Sequence, residues 1–265
     1  MKKIILFFCL IVFGISKAQN DTIVNYLDKN KKRVQPKELA YYTQYVVEDN
    51  AIYTVVLYNY KGELISIENF SNKRLDTKIG EQRHFHFNGK LSSIRTYDNQ
   101  SRLHGKSLSF YSDGSKNMVG VNKNDQRHGL WNFYYKKGNK IARLIYDKGK
   151  ILKYKLWDEN GNTKNEKLIL ERKPKFKKGG NSLNKYLQRK LTSKFNYSNI
   201  TGNLILKFKI NREGKPTDIQ IFPDNLPEKY KKHIYKIFKN MPNWEPGIQL
   251  NRKVTTKFTL PIKLD

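Results

Sequence analysis

The fold of this chain is decided by the stretch HGKSLSFYSDG, residues 104–114, which recurs 24 residues later as HGLWNFYYKKG, residues 128–138. A shorter copy begins at Gly80 and has Phe85 and Gly89 at the matching positions. The last glycine of each copy belongs to a series with intervals of 27, 25, 24 and 23 residues: Gly62, Gly89, Gly114, Gly138 and Gly161. A period of this length is typical of a repeat architecture.

Each repeat contains two aromatic-rich segments joined by an Asn-, Asp- or Lys-Gly turn, which is the pattern of a β-hairpin. Because a single hairpin is marginally stable in water, five hairpins over residues 46–163 are expected to pair edge to edge into one antiparallel sheet. The pattern His-Gly-x4-Phe-Tyr-x2-Gly resembles MORN-type repeats, whose members are interaction scaffolds. The resemblance implies structural roles for Gly105, Gly114, Gly129 and Gly138, with His104 and His128 packed or bonded near the glycine turns.

In the last third of the chain, the spacing of apolar residues changes between that of strands and that of helices. Apolar residues alternate over 203–210 and again over 254–262, as in half-buried strands, and a turn at Gly214 leads from the first of these into another short strand. Apolar residues at helical spacing predict one helix over 183–191 and another over 228–241, where Pro242 ends it. The sequence therefore predicts the order α-β-β-α-β after the repeats, and a fold that is mainly β plus α+β.

This C-terminal order resembles the TonB C-terminal domain of Bacteroidetes-type proteins over residues 176–264. The most specific motifs are Met241-Pro242-x-Trp244-x-Pro246-Gly247 and Phe258-Thr259-Leu260-Pro261-Ile262. The resemblance implies structural roles for Gly202, Gly214, Trp244, Pro246 and Gly247. It also implies that an extended peptide is added as a strand, here beside Val254, Thr255, Thr256, Lys257, Phe258, Thr259 and Leu260.

Three features of a complete TonB protein are missing from the sequence. The first histidine is His84, so the N-terminal apolar segment has none, and the eight prolines form no rod-like spacer. The Tyr-Pro that usually follows the first helix of the family is replaced by Phe195-Asn196-Tyr197-Ser198. These departures favour the fold over the energy-transducing activity.

The N-terminus predicts export. Lys2 and Lys3 precede an apolar run over 4–15, and Ser16-Lys17-Ala18 supplies small residues before a cleavage at Gln19. Twelve residues form only about 18 Å of helix, short of the roughly 30 Å of a hydrocarbon core. We therefore assign residues 1–18 to a signal peptide and place the protein in the periplasm or outside the cell, with an inner-membrane anchor as the alternative. Residues 19–45 are expected to form an N-terminal segment, and 164–178 an exposed linker or connecting helix.

The formal charge of +29 predicts long-range attraction to anions, among them anionic envelope polymers and acidic proteins. The chain contains no recognised nucleic-acid-binding motif, and an exported protein would rarely meet nucleic acid, so no nucleic-acid partner is expected. The single cysteine, Cys9, lies in the predicted signal peptide. The mature chain can therefore form neither a disulfide nor a zinc-cysteine site.

No catalytic motif accompanies these features, and neither an enzyme activity nor a cofactor is expected. His84 and His86 could share a strand face, but the sequence supplies no defined further ligands, so no metal site is predicted. Together the patterns predict an exported, non-enzymatic envelope adaptor that binds an extended peptide or an outer-membrane transporter partner, with the repeats as a second interaction surface. The alternatives are a membrane-anchored TonB-type energy transducer and an envelope hydrolase with an unrecognised carboxylate pair. The partner's identity and the oligomeric state are left open.

Overall fold

One antiparallel sheet contains every strand of the first unit, and each strand pairs with the next along the chain. The computed structural model describes residues 22–176, 182–192 and 203–263, and the boundary between its two units lies between Asn165 and Glu166. The strands of the first unit are β1 Ile23–Leu27, β2 Tyr42–Asp49, β3 Ile52–Asn59, β4 Leu64–Phe70, β5 Gly80–Phe85, β6 Leu91–Tyr97, β7 Leu103–Phe110, β8 Lys116–Lys123, β9 Gln126–Tyr134, β10 Lys140–Asp147, β11 Lys150–Trp157 and β12 Thr163–Lys164. The predicted antiparallel hairpin sheet is thus confirmed, and the fold is mainly β.

The five glycines of the series lie in five equivalent turns. In the turn after β7, for example, the Gly114 N–H donates to the Tyr111 carbonyl at 2.9 Å, and the Tyr111 N–H donates to the Ser115 carbonyl at 2.8 Å. Each glycine of the series has a positive φ, between 75° and 95°, which glycine adopts without steric cost. Successive turns alternate between the two ends of an antiparallel meander, so the five glycine turns share one end of the sheet.

The first glycines of the copies, Gly80, Gly105 and Gly129, lie inside or at the start of strands and also have positive φ. Between the pairs Val119↔Asn132 and Val121↔His128, one residue of β8 faces three of β9, and Gly129 is among the three. The same irregularity surrounds Gly105. These glycines therefore mark bulges rather than turns, because a positive φ within a strand shifts the register of the following residues.

The buried side chains of the first unit include two apolar groups and a set of polar residues. Val46, Val55 and Phe70 form a cluster at β2–β4. Trp131, Ile141, Ala142, Leu144 and Leu156 are at most 2% exposed in β9–β11. The buried polar residues are distributed over β1, β3, β4, β5, β7 and β8: Asn25, Asn59, Ser66, Gln82, Ser107 and Asn122.

The second unit contains the predicted order α-β-β-α-β with short additional strands. Its elements are β13 Glu171–Arg172, β14 Lys175–Phe176, α1 Ser182–Thr192, β15 Asn203–Ile210, β16 Pro216–Phe222, α2 Glu228–Lys239, β17 Trp244–Glu245, β18 Gly247–Gln249, β19 Arg252–Val254 and β20 Thr256–Lys263. The main sheet has the order β16-β15-β20. Both helices and one face of this sheet enclose a core that includes Leu206, Phe208, Ile234 and Phe238.

Two of the predicted segments contain strands. In the predicted N-terminal segment over 19–45, β1 and the start of β2 belong to the large sheet. The described part of the predicted linker over 164–178 is mostly exposed and contains two short strands, since β13 pairs with β18 and β14 pairs with β17. Phe176 is 5% exposed and lies in the core of the second unit, so its burial fixes this segment to the unit.

The predicted signal peptide over 1–18 and the predicted structural residue Gly202 lie outside the described residues.

Candidate functional site

The strand β20 forms one edge of the main sheet of the second unit. It pairs with the central strand β15 in eight consecutive register positions without a shift. Within the described parts of the chain β15 is its only strand neighbour. The free side of a regular edge strand presents main-chain donors and acceptors on which another strand can pair.

Side chains along β20 alternate between the core and the outer surface. Phe258, Leu260 and Ile262 pack against the core, whereas Lys257, Thr259 and Pro261 are exposed. Phe258 stacks on Phe208 with ring centroids 5.3 Å apart and planes inclined by 10°. The core contacts of the even-numbered residues therefore fix the strand, and its odd-numbered residues face outward.

The position of Pro261 indicates which amides point away from the sheet. Proline is accommodated on edge strands with its nitrogen on the unpaired side. Because main-chain groups alternate along a strand, the N–H groups of Lys257 and Thr259 then point to that same unpaired side. These two amides are the donors that an added strand would use.

Three cross-strand rows on the outer face of the main sheet span all three strands. One is apolar and contains Phe222, Ile205 and Pro261; the next contains Gln220, Lys207 and Thr259; the third contains Thr217, Lys209 and Lys257. Phe222 and Ile205 are each 37% exposed. The Lys207 ammonium lies 4.7 Å from the Phe222 ring centroid, and the Lys209 ammonium lies 2.6 Å from Asp218 Oδ2.

A cleft of about 300 Å³ lies at the beginning of β20. Glu171, Arg172 and Lys173 line one part of it, Ile248 and Gln249 another, and 254–257 the rest. The charged lining thus consists of three cations, counting Lys257, and one carboxylate. The cleft therefore places a mainly cationic surface next to the start of β20.

The predicted partner-binding stretch over 254–260 is divided between two sheets. Val254 ends β19 and pairs with Gly247 of β18, whereas β20 begins at Thr256. The hairpin of β18 and β19 turns at Leu250 and Asn251, both with positive φ. Asn251 is a residue type that tolerates this conformation, whereas Leu250 is not, so the sequence gives only part of a turn signal here.

Three of the residues assigned structural roles meet near β20. The Trp244 N–H donates to the Gly214 carbonyl at 2.8 Å, and the Trp244 ring lies 5.2 Å from that of Phe258. A Cβ on Gly247 would lie 2.5 Å from the Thr256 hydroxyl oxygen and 3.3 Å from the Pro174 ring. Pro246 lies between β17 and β18. These contacts hold the corner from which β20 starts.

The histidines of the first unit have separate partners. His84 Nε2 lies 3.8 Å from Glu68 Oε1, and His86 Nε2 lies 3.0 Å from the Phe110 carbonyl oxygen. Burial lowers the pKa of His84, although the Glu68 charge opposes this effect. In the described residues, no group of three or more histidine, cysteine or acidic side chains is arranged to hold a metal ion.

His104 and His128 lie beside polar groups of the next hairpin loops. His104 Nδ1 is 3.3 Å from Asn124 Oδ1, and His128 Nδ1 is 3.5 Å from Asp147 Oδ1.

The sequence interpretation missed a second repeated position, two residues after each bulge glycine. Gln82, Ser107 and Trp131 occupy it and are 1%, 4% and 2% exposed. The Gln82 amide donates to the Ile79 carbonyl at 2.8 Å and to the Asn69 carbonyl at 3.0 Å. The Trp131 indole N–H donates to the Val121 carbonyl at 2.9 Å. Gln82 and Trp131 thus satisfy main-chain carbonyls, whereas the Ser107 hydroxyl accepts from the Asn122 side-chain amide. The constant offset of these residues from the repeat glycines was the available signal.

Across the described ranges, every helix is too short or too polar to cross a membrane. No protein-family model matches the chain, and comparisons with curated proteins and with solved structures also give no match.

Proposed function

We propose that the protein is an exported, non-enzymatic adaptor of the cell envelope that binds an extended peptide, such as a segment of an outer-membrane transporter, as a strand added beside β20. The observation that carries this proposal is the regular edge of β20, with eight consecutive pairs on one side and exposed residues along its outer face. Strand addition depends mainly on main-chain hydrogen bonds and requires no catalytic group.

Export is supported by the sequence pattern of residues 1–18, in which two lysines precede an apolar run and a small-residue cleavage site. The first unit supplies a second interaction surface in this proposal. Leu130 and Ile145 are cross-strand neighbours and are 46% and 37% exposed, and Lys153 pairs with Ile145. Exposed apolar side chains next to cations suit a protein contact.

The edge-strand proposal is tested by removing one outward amide. Thr259→Pro deletes the N–H predicted to face the added strand while placing the new ring two residues from Pro261, in the same orientation. Thr259→Ala keeps the N–H and is the matched control. Phe258 is unsuitable for this purpose because its ring stacks in the core.

The predicted mature chain, expressed from Gln19, is used to select binders from a displayed library of random peptides of about ten residues, the upper length of ordinary strands. We expect selected peptides to bind the wild type and Thr259→Ala with similar affinity and to bind Thr259→Pro at least about tenfold more weakly, since one strand-pairing hydrogen bond is lost and its partner carbonyl is left unpaired. Equal binding by a Thr259→Pro protein with unchanged thermal stability contradicts the edge-strand proposal.

A further inference from the structure

The outer face of the main sheet ends at β20 with three unlike side chains. An added strand would lie about 4.8 Å from β20, and its outward side chains would extend the three existing rows. Three alternate residues of that strand would therefore stand beside Pro261, Thr259 and Lys257. The first and third of these positions are four residues apart in the added strand, because side chains on one face recur every second residue.

The row that ends at Lys257 favours a negative charge. Lys209, its cross-strand neighbour, already has Asp218 as an ion-pair partner at 2.6 Å. Among the described residues no carboxylate forms an ion pair with Lys257, and its side chain is exposed. The adjoining cleft adds Arg172 and Lys173 against the single carboxylate of Glu171. An acidic side chain at this end would gain an ion pair and reduce repulsion among the cations.

The row that ends at Pro261 favours an apolar side chain. Ile205 stands between Phe222 and Pro261 in this row, and all three side chains are exposed. A further apolar side chain would cover part of this surface and remove it from water. The middle position, beside Thr259, adjoins a mixed polar row and imposes neither charge nor apolar character.

We infer that β20 selects extended peptides that carry an acidic residue beside Lys257 and an apolar residue four positions away beside Pro261. This inference rests on the proposed function, since it specifies the ligand of the same edge. The partner class is therefore an extended segment with the pattern acidic-x-x-x-apolar in one chain direction, and the direction that binds identifies parallel or antiparallel pairing.

The inference is tested with four fluorescein-labelled peptides in a Gly-Ser background. Two contain Glu-Thr-Thr-Thr-Ile or the reverse order Ile-Thr-Thr-Thr-Glu, and the other two have lysine in place of glutamate. Binding to the predicted mature chain is measured by fluorescence anisotropy at about 0.1 M salt and again at about 1 M, where charges are screened over a few ångströms. The protein variants are Lys257→Glu, Lys232→Glu and Thr259→Pro.

Lys232 provides the matched control because it is exposed on α2, which packs against the core-facing side of the sheet. Both lysine-to-glutamate changes alter the net charge equally, so only a local effect separates them.

We expect the wild type to bind one glutamate peptide about fivefold tighter than its lysine counterpart at low salt, the range of an exposed ion pair. Lys257→Glu should reverse this preference, Lys232→Glu should preserve it, and high salt should reduce it. A preference that survives Lys257→Glu, or a failure of both glutamate peptides to bind, overturns the inference. If Thr259→Pro abolishes binding while Lys257→Glu changes no preference, the edge-strand function stands and only the selectivity is wrong. If Thr259→Pro leaves all binding unchanged, both proposals fail.

Discussion

Gly120 in β8 is expected to tolerate no side chain, because the indole ring of Trp131 lies directly on it. A Cβ at this position would overlap the ring atoms Cδ2, Cε2 and Cε3 of Trp131. The ring is 2% exposed, donates to the Val121 carbonyl and carries the Arg127 guanidinium 4.5 Å from its centroid. If the ring moved away from Gly120, it would therefore lose this hydrogen bond and its contact with the guanidinium.

The cost of Gly120→Ala follows from these contacts. Adding one methyl group to a well-packed core costs about 1–3 kcal/mol. If the indole is displaced instead, its hydrogen bond is lost as well, which adds about 0.5–1.5 kcal/mol. Removing the whole side chain by Trp131→Ala costs about 3–5 kcal/mol and gives the upper limit. We expect Gly120→Ala to lower the free energy of unfolding of the first unit by about 1–4 kcal/mol.

A double-mutant cycle separates the ring from the backbone as the cause. Urea unfolding, followed by far-UV circular dichroism, is measured for the wild type, Gly120→Ala, Trp131→Ala and the double variant. In the Trp131→Ala background the methyl group enters the space that the ring vacates, so Gly120→Ala should cost less than about 0.5 kcal/mol there, and the coupling energy should reach about 1–3 kcal/mol. Additive costs would refute this reasoning, since they would place the requirement for glycine in the backbone of β8.

Two further perturbations follow from the structure. Gly214→Ala should destabilise the protein more than Gly62→Ala in thermal unfolding. Both glycines have a positive φ, which costs alanine about 1–2 kcal/mol, but a Cβ on Gly214 would also collide with the Trp244 carbonyl oxygen, whereas the space around Gly62 is open. Equal losses of stability in the two variants would contradict the role of this contact. The pKa of Glu68 is raised by burial, but the 2.7 Å hydrogen bond and the charge of Lys78 outweigh this and hold it below the ordinary value of 4.5. A carboxyl whose pKa is lower in the folded than in the unfolded state stabilises the fold at pH values above the unfolded-state pKa, and this contribution is lost as the pH falls through the folded-state pKa. Lys78→Met should therefore destabilise the protein at neutral pH by an amount that shrinks on acidification below about pH 4.5. Urea titrations at several pH values would contradict this if the difference between the wild type and the variant stayed constant.

Features with a strong local signal were predictable from the sequence. The strand over 203–210 has an unbroken alternation of apolar and polar residues, and its bounds match those of β15. The five turn glycines have a constant relation to the aromatic segments, and the hairpins form where the series places them. In both cases the residues that define the element lie within it.

Features that depend on distant partners were not predictable. The two-residue strands β13 and β14 are too short for a period, and they form because residues near 245–249 pair with them. Phe176 is buried by Trp244, whose ring centroid lies 5.3 Å away. The bulge at Gly105 was not predictable, because a glycine in a bulge and a glycine in a turn both supply a positive φ, and only the register of the neighbouring strands distinguishes them.

The final strand, where the candidate site lies, was predictable from the sequence, but the side chains that surround it were not. The family resemblance placed it at the final strand, and the alternation of Phe258, Thr259 and Leu260 already indicated which side chains face the core. The row of Lys209 and Lys257 depends on the register between β15 and β20, and the cleft depends on residues of the segment predicted as a linker. Neither relation is local in sequence.

Three other edge regions of the described sheets carry features that disfavour regular strand addition. The loop after β1 folds back on that strand, with the Val34 N–H donating to the Tyr26 carbonyl at 2.9 Å. The strand β16 has a register shift and a positive φ at Asp218, which distort its edge. The part of β11 that β12 leaves unpaired contains Lys150, Lys153 and Lys155. Bulges, covering loops and edge lysines are the usual means by which proteins prevent unwanted strand pairing.

The edge of β20 is protected from strand pairing only by Pro261 and Lys257, and these two residues limit which strands could pair with it. Pro261 removes one outward donor, so an added strand can pair fully only on one side of it. Lys257 places a charge beside the incoming strand, which repels a second copy of this lysine-rich edge in parallel register and attracts a strand with an acidic residue at that point. The two residues that limit self-association would therefore also define the register and charge of the partner. Under the proposed function, this edge would exclude strands like itself and admit strands of complementary charge.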